Sequence, residues 1–168
     1  ISVSSINAII IRCSQQTNVW IRFGRLQECL AYSVVSEEPN TEVEIISSTS
    51  ADSFESLYIH QSPDCHYLPT GITNFMPNLQ VLIVAHTGLK SITKNDLKPF
   101  TMIKGVYIDY SQITAIEKDL FIYNTNLEEL SLQQNQIASV DVNFFKPLDK
   151  VISFSFERNP CFDGKAIG

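Results

Sequence analysis

At 168 residues with 44% hydrophobic side chains, the chain is long enough to bury the core of one domain, and six Gly and seven Pro without any low-complexity stretch exclude a disordered chain. Twelve Lys and Arg against 18 Asp and Glu give a net charge of −6 and no basic stripe, which argues against DNA, RNA and anionic lipid as main partners. No apolar run approaches the roughly 20 residues a bilayer span requires, so membrane insertion is not expected.

The chain begins at Ile1, without Met or a signal peptide, as a processed secretory protein or an excised piece would. Ile9-Ile10-Ile11-Arg12-Cys13 and the segment from Cys29 to Val35 read as two strands joined by a loop holding Trp20 and Phe23. Cys13 and Cys29 stand 16 residues apart on those segments, close enough for a disulfide across the hairpin. Val43-Glu44-Ile45 is strand-like but precedes Phe54 by too few residues for a full repeat.

From Phe54 onward the chain repeats. Leu79, Leu82 and Val84 recur as Ile103, Val106 and Ile108, then Leu127, Leu130 and Leu132, then Val151, Phe154 and Phe156, each 24 residues on. A looser copy with Phe54, Leu57, Ile59 and Ser62 lies 25 residues upstream. A small polar residue follows each triplet at Thr87, Ser111, Asn135 and Asn159, and Leu97, Phe121 and Phe145 close the units. Alternation such as Leu130-Ser131-Leu132 is strand-like, and a lone unit cannot bury its apolar stripe, so the units must stack on a parallel sheet. Thr93, Glu117 and Asp141 are residue types that cap a short helical turn on the opposite side. Cys65 and Cys161, four strand spacings apart, would lie roughly 19 Å from each other and are not expected to bond.

The pattern LxxLxLxxNxLxxI with a closing Phe resembles the leucine-rich repeat of the typical extracellular 24-residue subclass, most closely in Leu127 to Ile137. Ser62, Thr87 and Ser111 stand where that family prefers Asn. The resemblance implies a repeat solenoid of the α/β-type horseshoe, with a parallel concave β-sheet and short helical or irregular convex turns. It also implies a division into a cap and abbreviated first coil over 1–53, repeats over 54–162 and a tail over 163–168. The cysteine-bearing strands at the start look like the disulfide-bearing hairpin cap of secreted members. The short coil after them is similar to that of arthropod members, mosquito immune proteins among them. Asn159-Pro160-Cys161 looks like the opening of a cysteine-rich C-terminal cap.

In such an architecture the residues flanking the inward Leu positions face out of the concave sheet. Tyr58, His60, Ile83, His86, Tyr107, Asp109 and Tyr110 then form a candidate protein-binding patch, with Tyr107 and Tyr110 expected in solvent. His60 and His86 on neighbouring strands lack the further ligands zinc requires, so no metal or other cofactor is expected. Neighbouring Cys65 and His66 point apart, the Glu37-Glu38 and Glu128-Glu129 pairs fall in a loop and at a strand edge, and GxSxG, phosphate-loop and GxGxxG motifs are missing. No catalytic residue is assigned. The expectation is a secreted, non-catalytic module that binds a protein partner, with innate immunity as the setting the resemblance implies. The alternatives are a structural or self-associating scaffold, or an ectodomain fragment of a cell-surface receptor. Only Phe162 and Ile167 follow Cys161 to cover the last apolar stripe, so a homodimer through the C-terminal end or a further domain downstream, the two equally, is expected to cover it.

Overall fold

The computed structural model describes residues 8–20 and 22–161. Its strands are β1 (Ile9–Arg12), β2 (Ser14–Trp20), β3 (Gly24–Tyr32), β4 (Val43–Ile46), β5 (Ser56–Ser62), β6 (Val81–Thr87), β7 (Gly105–Asp109), β8 (Glu129–Ser131) and β9 (Ser153–Ser155). Among the described residues β2-β3-β5-β6-β7-β8-β9 form one sheet in that order, and β1-β4 form a second of two strands. β2 and β3 are antiparallel; every later pairing in the large sheet is parallel.

Register follows the repeat. Leu57 pairs with Leu82, Leu82 with Val106, Val106 with Leu130, and Leu130 with Phe154. These inward residues are buried except the last. The 24-residue period therefore becomes a stack in which equivalent side chains lie above one another, each coil covering the next. On the far side the chain returns through short turns. Helix α1 spans Ile72–Phe75, and helix α2 (Lys94–Leu97) is capped by Thr93, whose hydroxyl accepts from the Asp96 N–H while Asp96 accepts from the Thr93 N–H. Asp141 caps a 3-10 turn over Val142–Phe145 by accepting from the Asn143 N–H at 2.7 Å. Glu117 opens only a hydrogen-bonded turn. At Gly88 an added Cβ would lie 2.0 Å from the Pro63 carbonyl oxygen, so this close crossing of loops admits glycine alone.

The polar ladder separates by side-chain length. Asn135 donates to the Ile108 and Leu132 carbonyls and accepts from the Ile113 N–H, and Asn159 does the same one coil further, so each amide joins two coils. Ser111 donates to the Asp109 carbonyl two residues away and meets Thr87 at 2.9 Å. Ser62 donates to its own His60 carbonyl and accepts from the Val34 N–H. Hydroxyls give a sparser ladder and the fold stands, as the shorter reach predicts.

The N-terminal region differs from the expected hairpin in its first arm. Ile9–Arg12 does not pair with the Cys29 segment; it runs parallel to β4, Ile9 beside Val43 and Ile11 beside Ile45, apart from the concave sheet. The hairpin arm is the polar β2, which pairs Ser14 with Leu30 through Trp20 with Gly24. A two-sided polar edge strand buries too little to leave an apolar alternation, so its sequence reads as a loop. Beyond Leu26, β3 joins the concave sheet, Cys29 beside Leu57 and Ala31 beside Ile59, and so supplies its first coil. The expected disulfide joins Cys13 and Cys29 with their Cα atoms 4.8 Å apart, tying the entry of β2 to the middle of β3.

Cys65 carries a buried free thiol and is not bonded to Cys161. Burial pushes that thiol up to about 12 from 9.0. The folded chain holds the proton longer than the unfolded one, so this contribution to stability is complete below pH 9 and is lost as pH rises toward 12. Iodoacetamide at pH 8.5 is expected to leave Cys65 unmodified in the native protein and to alkylate it fully in urea. Peptide mass mapping reads this directly, and rapid native alkylation would mean that the Pro63–Tyr67 loop opens.

Candidate functional site: the concave face

The positions expected to face solvent divide into two halves. Over the first halves of β6 and β7 the face is covered by the tip of the β2–β3 hairpin. Leu26, Val81, Ile83 and Ala85 form a small core of their own, flanked by Trp20, Phe23, Tyr58 and Tyr107. The Trp20 ring stacks on Tyr107 with centroids 5.4 Å apart. Phe23 lies over Gly105, where a Cβ would stand 3.0 Å from its ring, so the absent side chain is what admits the phenyl group. Arg22 reaches from the tip to Glu129 at 2.8 Å, and Glu129 also accepts from the Tyr107 hydroxyl. Burial and that carboxylate together push the Tyr107 phenol upward.

These contacts correct three assignments. Ile83 is only 8% exposed and is core beneath the hairpin. Tyr107 is half-buried between Trp20 and Glu129 and does not stand in solvent. Asp109 is engaged within the sheet: it accepts from the Ser131 hydroxyl at 2.7 Å, the Gln133 N–H at 3.1 Å and the Gln133 amide at 3.2 Å. Burial raises its carboxyl, with those donors opposing the shift. For Ile83 and Tyr107 the physical reason is a second layer, which occupies space that the sheet alone would leave to water; Asp109 is taken up by donors of the next coil.

Glu28 fastens that layer. It is fully buried and accepts from the Gln16 amide, from the Asn18 amide at 2.6 Å and from the Ser56 hydroxyl at 2.9 Å. Two donors come from the hairpin and one from the sheet, so a single carboxylate pins β2 and β3 to β5.

The other half of the face is open. Along the C-terminal ends of four adjacent strands run Tyr32, His60, His86 and Tyr110. Their rings touch in sequence: Tyr32 and His60 edge to face at 5.7 Å, His60 and His86 edge to face at 5.2 Å, His86 and Tyr110 stacked at 4.2 Å. The Tyr58 hydroxyl lies 2.9 Å from the His60 Nδ1 beside this row. Burial, then the neighbouring His86, lowers the His60 imidazole, which favours its neutral form. Tyr32 is 51% and Tyr110 40% exposed. Tyr32 lies outside the patch expected from sequence, because its strand reads there as part of a separate cap.

Backbone geometry holds the row in place. His86 and Tyr110 have φ of 55° and 51°, and Gln61, Gln134 and Arg158 adopt the same left-handed turn at equivalent positions. Such a conformation costs a non-glycine residue about 1–2 kcal/mol, and Gly or Asn would relieve it. Two of these corners instead carry an imidazole and a phenol ring.

Among the described residues no group of three His, Cys, Asp or Glu is placed to hold a metal ion, and no helix is long and apolar enough to cross a membrane.

Comparison with known proteins agrees with the stack. No family model matches the chain. It is 29% identical to mouse Toll-like receptor 9 over 75 residues, covering 45% of this chain and 7% of the receptor. It is 25% identical to the human volume-regulated anion channel subunit LRRC8B over 141 residues, covering 83% of this chain and 16% of that protein. With chicken Toll-like receptor 2 type-1 it shares 30% over 97 residues, 58% of this chain and 12% of the receptor. The chain thus spans less than a fifth of the length of these relatives. A chain in a solved Drosophila Toll–Spatzle complex superposes with a TM-score of 0.58 at 22% identity, covering 70% of this chain and 17% of that one. Its glycosylated form gives 0.54 at 18% identity, with 71% and 20% covered. Repeat, register and relatives converge: the chain is a leucine-rich repeat protein.

Proposed function

We propose that this chain is an extracellular, non-catalytic recognition module of innate immunity that binds a protein partner through the open half of its concave face. The observation that carries the reading is the continuous ring row Tyr32–His60–His86–Tyr110, solvent-accessible across four strands and held partly on strained corners. Aromatic side chains on a rigid sheet supply large contact area at low entropic cost, the usual composition of interface centres. The disulfide at the hairpin suits an oxidising compartment. The relatives that are Toll-like receptors, and a structural neighbour named for its complex with Spatzle, support a protein partner in that setting.

The test is affinity capture from extracellular fluid with the chain and with a Tyr32→Ser, Tyr110→Asn variant, Asn being chosen because it tolerates the left-handed corner. A partner retained by the chain and lost by the variant is expected. Partners captured equally by both would overturn the reading.

A second reading, self-association through the C-terminal end, is favoured by one observation. Phe154 occupies the inward register of Leu130 yet is 56% exposed, and with Phe145, Leu148 and Val151 it lines a groove of about 140 Å³. Phe162 and Ile167, the residues expected to cover this end, lie outside the described residues. Light scattering on the same samples separates the readings: a concentration-dependent dimer abolished by Phe154→Ser belongs to the second alone.

A further inference from the structure

The charges of this chain are unevenly distributed along it. Between Leu26 and Leu89 there are eight acidic residues, from Glu28 to Asp64, and no Lys or Arg at all. Eight of the 18 acidic and none of the 12 basic residues leave 10 acidic against 12 basic for the remainder, so this stretch accounts for more than the whole net charge of −6. It contains β3 from Leu26 onward, β4, β5 and β6, and with them Tyr32, Tyr58, His60 and His86. Asp109 lies beside the row, held against β8 and electrostatically coupled to His86. In a solenoid a stretch of sequence is a slab of the molecule, so the coils that carry Tyr32, His60 and His86 hold this excess of negative charge. Arg22, which the hairpin brings to the face, is engaged with Glu129 at the covered half.

From this charge imbalance we infer that the Tyr–His row docks a basic segment of its protein partner, with Lys or Arg side chains laid against the tyrosine faces and the net negative charge of these coils drawing them in. The inference rests on the concave-face reading proposed above and specifies its partner's chemistry. An ammonium or guanidinium group is attracted to the face of an aromatic ring within about 6 Å of its centroid, and more strongly where carboxylates stand nearby. An acidic segment would meet a local excess of like charge, and a purely apolar one would leave the imidazoles and phenol hydroxyls without partners.

The experiment is panning of a phage-displayed random dodecapeptide library on the intact 168-residue chain, with counter-selection on a His86→Asn, Tyr110→Asn variant. Both substitutions keep the left-handed corners and remove the rings, and circular dichroism establishes that the variant is folded. Enriched peptides are expected to be rich in Lys and Arg. As synthetic peptides they should bind the variant roughly three- to thirtyfold more weakly than the chain and lose affinity between 50 and about 300 mM salt. Ring-dependent peptides that are acidic or uncharged would overturn the basic partner and leave the concave-face reading standing. Peptides that bind the chain and the variant equally, or no enrichment over the variant, would overturn both.

Discussion

Replacing Leu130 with Ala is expected to cost about 2–5 kcal/mol of unfolding free energy, and replacing Tyr107 with Ala about 2 kcal/mol, whereas Tyr110→Asn should stay within about 0.5 kcal/mol. Leu130 is sandwiched between Val106 and Phe154 in register, and a cavity there is bounded by coils on both sides that cannot collapse into it. Tyr107 and Tyr110 lie three residues apart but differ in kind. The first carries the Trp20 stack and the hydrogen bond to Glu129; the second stacks only on the exposed His86. Tyr107→Phe, which keeps the ring, should cost only about 1 kcal/mol. Urea denaturation at fixed pH measures all four. Equal, negligible losses for Tyr107→Ala and Tyr110→Asn would mean that the hairpin does not rest on the concave face in solution.

Removing the Cys13–Cys29 bridge by paired Ala substitution is expected to lower stability by about 3 kcal/mol, the loop-entropy value for a closure of this length. The effect should be concentrated at the hairpin. The bridge joins the start of β2 to β3, and without it β2 is an edge strand held by main-chain bonds and by the Glu28 cluster. Trp20 is the chain's single tryptophan and sits under the hairpin tip, so its emission reports that element alone. A red shift at denaturant concentrations where far-ultraviolet dichroism is still native is the expected signature. An unchanged midpoint with unchanged emission would show that Glu28, Trp20 and Phe23 hold the hairpin without the bridge.

What the sequence by itself determined is the solenoid. A 24-residue recurrence of Leu, Val, Ile and Phe specifies strand positions, their inward faces and a parallel stack, because each coil can be buried only by its neighbours and so in only one register. The Asn and hydroxyl ladder, the Thr93 and Asp141 caps and the Cys13–Cys29 pairing were legible for the same reason: they depend on residues close in sequence or on a fixed period. The state of the concave face was decided only by tertiary structure. Nothing local marks Ser14–Asn18 as a strand or aims Trp20 and Phe23 at residues more than 60 positions away. Alternation tells which side of a sheet a residue faces; it cannot tell whether water or another part of the chain lies there. That difference buried Ile83 and Tyr107, engaged Asp109 with the next strand, and left the row from Tyr32 to Tyr110 as the open aromatic surface.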